Sequence, residues 1–307
     1  MTESTVAAWD GSSASEASLE WAALRETRRG RPLSVVRILP VPRPTSPDDL
    51  EPRLEVDASE RHLLHRVARL RRAHPDLSVS CEVLFGDVVE VLLGSALRGA
   101  TVVVGRDSRP RLEARRHRVA AQLATLATGP VVIVPEHGRP PATADEESLT
   151  RSIVVGVDGT HAALEALRFA ADEARQTGDR LVAVHVWSEP VVWDDVFVSP
   201  PALEALMQHQ HEELLEESIE VGLTDFPDVP VVRRVVRGRP EVELERLARH
   251  ADVLVVGDHA RSAVARHLLG SVSSALSARP TVPTVVVHHP ADAPREAARR
   301  SRDRVEA

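Results

Sequence analysis

Short runs of β-branched residues alternate along this chain with longer stretches whose apolar positions recur at helical spacing. In the second half, strands are predicted near 152–157, 180–187, 229–236, 252–257 and 283–287, and helices near 161–177, 200–222, 240–250 and 271–279. Over 200–222 the reasons are local. Ser199 can cap the helix, Pro200 suits its first turn, and Leu203, Leu206, Met207, Leu214, Leu215 and Ile219 recur with helical periodicity. The strand runs are rich in β-branched residues, as in a parallel sheet covered by helices on both faces. Strands alternating with helices predict an α/β fold: a doubly wound, five-stranded parallel sheet with helices on both faces. Such sheets take ligands at the carboxyl ends of their strands, where the strand order reverses.

The pattern occurs twice. The stretch from Val6 to Ser12, with Asp10-Gly11 at its centre, resembles Val154 to Thr160 around Asp158-Gly159, an offset of 158 − 10 = 148. The same offset carries Leu33–Ile38 onto Leu181–Val186. Thr101–Gly105 meets Val253–Gly257 at 257 − 105 = 152, and Gly129–Val134 meets Val282–Val287 at 283 − 130 = 153. The drift marks short insertions in the second copy. Two tandem domains follow, 1–135 and 151–289. The segment 136–150, with Gly138, Pro140, Pro141 and an acidic run, reads as a linker, and 290–307 as a solvated tail.

Composition narrows the chemistry. A chain of 307 residues can bury two cores, and 43% hydrophobic with 27% charged residues is a globular profile. The net charge of −8 argues against a general nucleic-acid surface. All 38 basic residues are Arg, so neither a phosphate-loop lysine nor a Schiff-base lysine exists. The lone Cys81 cannot form an internal disulfide and has no His or Asp partner in a catalytic motif. The start lacks the basic and apolar regions of a signal peptide, and no apolar run is long enough to span a bilayer. A cytoplasmic location, without membrane insertion, is the expectation.

The most informative stretch is Val255-Val256-Gly257-Asp258-His259-Ala260, then nine residues, then Gly270-Ser271-Val272-Ser273. A glycine just after a buried strand admits close approach to the backbone, and free N–H groups at a helix start favour an anion. On residue types alone, a serine-capped helix after a tight turn is the commoner reading.

These segments resemble the universal stress protein family, which at this point carries Gly, two residues, Gly, nine residues, Gly, then Ser or Thr. The resemblance extends to Val157-Asp158-Gly159, His185-Val186 and Val236-Arg237-Gly238. It covers essentially all of 151–289 and, more weakly, 4–135. It implies an ATP-binding regulatory module of the bacterial stress response, with ATP, with or without Mg²⁺, as signal rather than rapidly consumed substrate. Asp158, after Val157, is implied to contact the nucleotide and Val186 to present its backbone to the adenine. Val256 and Gly257 would line the ribose, and Gly270, Ser271, Val272 and Ser273 would hold phosphates. Ala260 stands where the family has its second glycine. A Cβ there costs on the order of 1 kcal/mol if the backbone needs positive φ, weakening the site without abolishing it. The first copy keeps Gly105 but has Ser108 for the second glycine, His117-Arg118 for Gly270-Ser271, Trp9 for Val157 and Arg37 for His185. It is expected to be a non-binding structural partner. Two other readings stay open: a slow ATPase or adenylate-transferring enzyme using Asp158 and Ser271, and a nucleotide-free dimerisation scaffold. No catalytic residue and no metal-ligand set is assigned, and the protein partner and stress signal are not specified.

Weaker signals receive bland readings. His209 and His211, two apart on a helix, are assigned to a solvated face together with Glu212 and Glu213. His288 and His289 are read as surface residues, Asp194 and Asp195 as loop. Trp21 and Phe169, aligned at 169 − 21 = 148, are read as core. The last strands, Val131–Val134 and Thr284–Val287, are β-branched edges expected to pair within one chain, making an internal pseudo-twofold pair. Further assembly into a homodimer is left open.

Overall fold

The computed structural model describes residues 4–41, 51–107, 114–137, 151–188, 201–258 and 270–288. The first copy runs β1 (Thr5–Ala8), α1 (Ser13–Arg29), β2 (Leu33–Leu39), α2 (Glu51–Ala73), β3 (Val79–Phe85), α3 (Val88–Leu97), β4 (Thr101–Arg106), α4 (Ala114–Leu126) and β5 (Val131–Pro135). The second runs β6 (Ser152–Gly156), α5 (His161–Thr177), β7 (Arg180–Trp187), α6 (Pro201–Gly222), β8 (Val231–Arg237), α7 (Pro240–Ala248), β9 (Val253–Asp258), α8 (Ser271–Ala278) and β10 (Thr284–His288). Each predicted element of the second half is present, shifted by at most two residues. β8 begins only after Pro230, which has no N–H to give to a ladder. Ser199 and Pro200 lie outside the described residues. On α6, Leu215 and Ile219 are buried as expected, but Leu206 is 54% exposed. Periodicity identifies a helix face; it does not say how far along the helix the sheet reaches.

The ten strands form one sheet in the order β3-β2-β1-β4-β5-β10-β9-β6-β7-β8. Neighbours within each copy are parallel, and the order reverses between β1 and β4 and again between β6 and β9. Strand residues alternate between two apolar layers. Ala7, Val35 and Val103 face Leu19 and Ala22 of α1 and Leu63, Val67 and Leu70 of α2. Val155 and Ala183 do the same against Ala166, Leu167 and Ala170 of α5 and Leu215 of α6. Val6, Val36, Val102, Val154, Val182 and Val184 face the other way, against Leu92, Leu123, Leu244 and Leu276 of α3, α4, α7 and α8. Each fully buried Val or Leu contributes roughly 1.5–3 kcal/mol, so both faces must be covered. Cys81, half-buried on β3, belongs to the first layer.

The copies join where β5 and β10 pair antiparallel, Val132 opposite Val285. Their separation, 285 − 132 = 153, is the repeat offset of the last strands, so equivalent residues face each other across a pseudo-twofold axis. Both apolar layers run through this joint without interruption. Trp21 and Phe169 pack against the first layer, as expected of core residues, and also flank the guanidinium of Arg25, 5.8 Å from each ring centroid. His288 is not a free surface residue. It is half-buried, its Nδ1 3.0 Å from the Gly129 carbonyl and its Nε2 2.7 Å from that of Ala124, both in the first copy. A position at the end of an edge strand looks exposed only until the other copy covers it. His289 lies outside the described residues.

Val286 is paired with Val131 on one side and Val256 on the other, so it sits mid-sheet. Val286→Pro deletes its N–H and orphans a buried carbonyl at a cost of about 1–3 kcal/mol, before any ring clash. Thermal unfolding followed by circular dichroism and light scattering should show a lower midpoint and aggregation. A native melt would contradict this placement.

Candidate functional site

The carboxyl ends of β9, β6 and β7 lie side by side at the second copy's switch point. There the structure brings Val157, Asp158, Val186, Val256, Gly257, Gly270, Ser271, Val272 and Ser273 to one end of the sheet. Ala260 lies outside the described residues.

Asp158 is exposed, just past β6. Its Oδ1 accepts from the Thr160 N–H (3.0 Å) and hydroxyl (2.6 Å), and Thr160 caps α5 through the Ala163 N–H (3.2 Å). The carboxylate therefore folds a turn into a helix cap. Asp10 does the same in the first copy, accepting from the Ser12 N–H at 2.9 Å. Its Gly partner is demanded by backbone shape, since Gly159 and Gly11 have φ of +80° and +87°.

Gly257 also meets a packing requirement: a Cβ there would lie 2.4 Å from the Ala162 carbonyl oxygen in the first turn of α5. At Gly105 the clash would be with the Ala14 carbonyl oxygen, at 2.0 Å. These glycines let α1 and α5 lie on the sheet. That explains why the first copy keeps Gly105 after losing the rest of the motif.

α8 opens at Gly270, whose φ of −55° is open to any residue. Gly270 has no side chain to cap the first turn, and the buried Asp258 takes that role. Its Oδ1 accepts from the Gly270 N–H (2.9 Å) and from the Ser273 hydroxyl (3.1 Å). An anionic oxygen thus already sits at the helix start, where the macrodipole favours it. Ser271 is exposed, Val272 half-buried and Ser273 buried. Sequence reasoning assigns Ser273 to phosphate and misses Asp258; an acid after a strand-ending glycine, twelve residues before a helix, is the available signal.

The tip of β7 holds a second unanticipated cluster. His185 is buried, its Nδ1 2.7 Å from the Val157 carbonyl, which can only accept. Nδ1 is therefore protonated, and in neutral His185 Nε2 receives the Nδ1–H of His211 at 2.9 Å. The His211 ring also stacks on Trp187, centroids 4.9 Å apart. This overturns the solvated-face reading for His211, because α6 turns that residue onto the β7 tip. His209, two residues earlier, is exposed and pairs with Glu213. Val186 itself is half-buried against the second apolar layer.

In the first copy the same tip is filled. The buried Trp9 donates its indole N–H to Glu16 (2.8 Å) and lies 5.2 Å from the Arg37 guanidinium. Arg66 in turn donates to Glu16 at 2.6 Å. Ser108, and the side chains of His117 and Arg118, lie outside the described residues, as do Asp194 and Asp195. Two cavities lie elsewhere. A cleft of about 340 Å³ between the copies is lined by Trp21, Arg25, Arg28, Glu173 and Asp179. A groove of about 780 Å³ along α6 and β8 is lined largely by Glu212, Glu213, Glu216 and Glu217, which oppose an anionic ligand. Among the described residues no three His, Cys, Asp or Glu are placed to share a metal ion, and no helix is long and apolar enough to cross a membrane.

Two doubly wound halves joined in one sheet define the α/β class of the fold, and comparison with known proteins narrows it. The chain matches the Universal stress protein family over residues 1–135 and 150–288, and it belongs to that family. Relatives include a universal stress protein of Mycobacterium tuberculosis, 30% identical over 304 residues, covering 92% of this chain and 94% of the relative. A second from the same organism is 31% identical over 286 residues, covering 90% and 94%. Among solved structures, a universal stress protein from Archaeoglobus fulgidus superposes with a TM-score of 0.62 at 19% identity, covering 93% of this chain and 96% of that one. These matches run over nearly the full length of both proteins, so the tandem arrangement is shared with these relatives.

Two predictions test these assignments. Gly105→Ala and Gly257→Ala should each destabilise the protein by about 1–3 kcal/mol in urea unfolding, the usual range for overpacking. An effect at neither position would return the glycines to a ligand role. The His211 pKa is lowered below its ordinary 6.5, first by burial and then by the neighbouring His185. A lowered folded value means the unfolded chain binds the proton more readily. The stability His211 provides is thus complete above about 6.5 and is lost as pH falls below it. His211→Asn, which keeps an amide donor, should flatten the stability profile between pH 7.5 and 5.5; unaltered slopes would remove His211 from the balance.

Proposed function

We propose that the second copy binds one adenine nucleotide, ATP in the first instance, and that the protein works as a nucleotide-responsive regulatory module rather than a fast enzyme. The observation that carries the reading is the start of α8 at the switch point, where Gly270 brings no side chain to the first turn and its N–H is held by the carboxylate of Asp258. Family membership and the Gly257…Gly270-Ser271 spacing support it. Val157, Val186 and Val256 would flank the nucleoside, and the Ser271, Val272 and Ser273 backbone the phosphates. The stress response, and assembly with itself or another protein, belong to the same proposal through the family.

A second reading is favoured by one observation. Asp258 already satisfies the Gly270 N–H and the Ser273 hydroxyl, as it would in a nucleotide-free scaffold.

Calorimetric titration with ATP should give one site per chain. Asp158→Ala should weaken it about tenfold, the loss of one hydrogen bond near 1.4 kcal/mol. Asp10→Ala is the matched control, since Asp10 makes the same turn without a site, and should leave affinity unchanged. Two sites, or equal effects of both variants, would reject the single-site reading. A flat titration, with no nucleotide released on denaturation, would establish the scaffold.

A further inference from the structure

The helices that meet beside the axis are equivalent elements: α1 spans 13–29 and α5 spans 161–177, offset by 148 at both ends. At this offset Arg25 and Glu173 are the same position, and they touch. Arg25 Nε donates to Glu173 Oε2 at 2.9 Å, a second bond joins Nη2 to Oε1, and the side chains are 5% and 4% exposed. Arg28 donates to Asp179 (2.7 Å) and Arg29 to Asp172 (3.1 Å). Every cation of these pairs comes from the first copy and every anion from the second.

Self-pairing across such an axis would be punished. Two first copies would set Arg25 against Arg25 and, since 179 − 148 = 31, Arg28 against Arg31. Two second copies would set Glu173 against Glu173. The basic side is already crowded: burial, and next the Arg25 charge, lower the Arg29 pKa to about 10. The joint between Val132 and Val285 is no such filter, because Val meets Val in every combination. Hydrophobic strands supply adhesion for any pairing; a desolvated charge facing its like is costly.

We propose that Arg25 and Glu173, with Arg28–Asp179 and Arg29–Asp172 beside them, form a pairing code that makes each first copy accept a second copy and reject another first copy. The surface fits one kind of partner, the acidic α5 face of this same protein.

The test uses full-length chains. Arg25→Glu places glutamate at both positions of one chain, and Glu173→Arg places arginine at both. Each variant alone should lose its internal pairing, seen as a larger radius in small-angle scattering and an earlier melt. Mixed in equal amounts, the two variants regain opposite charges between chains. The glutamate introduced in one chain meets the arginine introduced in the other, while the unaltered Arg25 of the second chain meets the unaltered Glu173 of the first. Sedimentation should then show a two-chain complex absent from either variant alone, with the melt restored toward the native one. A structural lesion would not be mended by a second damaged chain. A mixture behaving as the sum of its parts would overturn the proposal, as would single variants as compact as native. Glu173→Gln keeps the shape while removing the second copy's counter-charge and leaving Arg25 only Glu26 of its own copy, so it should lower the melting midpoint by several degrees. No shift in that variant would also overturn the code.

Discussion

The antiparallel contact between β5 and β10 is the constraint on which the molecule depends. Each copy is a five-stranded sheet with one edge ending in a valine-rich strand, and an open edge of that kind recruits whatever strand it meets. Here the two edges satisfy each other, Val132 facing Val285. The pairing merges two sheets into one and makes both apolar layers continuous from copy to copy. It also brings α1 against α5 and covers His288, so polar contacts far apart in sequence follow from it.

Against that shared frame the copies have diverged where they can do so without cost to the fold. Gly105 and Gly257 are both retained, because α1 and α5 could not lie on the sheet over a Cβ. Asp10 and Asp158 are both retained, because each turns a strand into a capped helix. Outside these positions the strand tips differ. Trp9, with Arg37 and Glu16, fills the first copy's tip, whereas the second has Val157, held by His185. Motif survival in the first copy therefore tracks packing rather than ligand chemistry.

The same separation governs the second copy's site. Asp258 at the start of α8 shows that the position accepts an anion, and it supplies one internally. A phosphate reaching Gly270 has to contend with that carboxylate. Under the proposed function, nucleotide affinity would be a matter of competition between two anions for one helix start.

The sequence by itself determined the class of fold, the duplication and the identity of nearly every element in the second half. These follow from local rules: β-branched runs for buried strands and helical periodicity for the helices between them. It also brought the site residues to one end of one sheet, because strand ends in a doubly wound fold converge at the switch point. Tertiary structure alone decided what those residues touch. Gly257 proved to serve α5, Ser273 to serve Asp258, and His211 to lie on Trp187. It also paired Arg25 with Glu173, 148 positions apart. Periodicity reports the faces a chain must bury, but hydrogen bonds and ion pairs depend on distances between elements, which only packing sets.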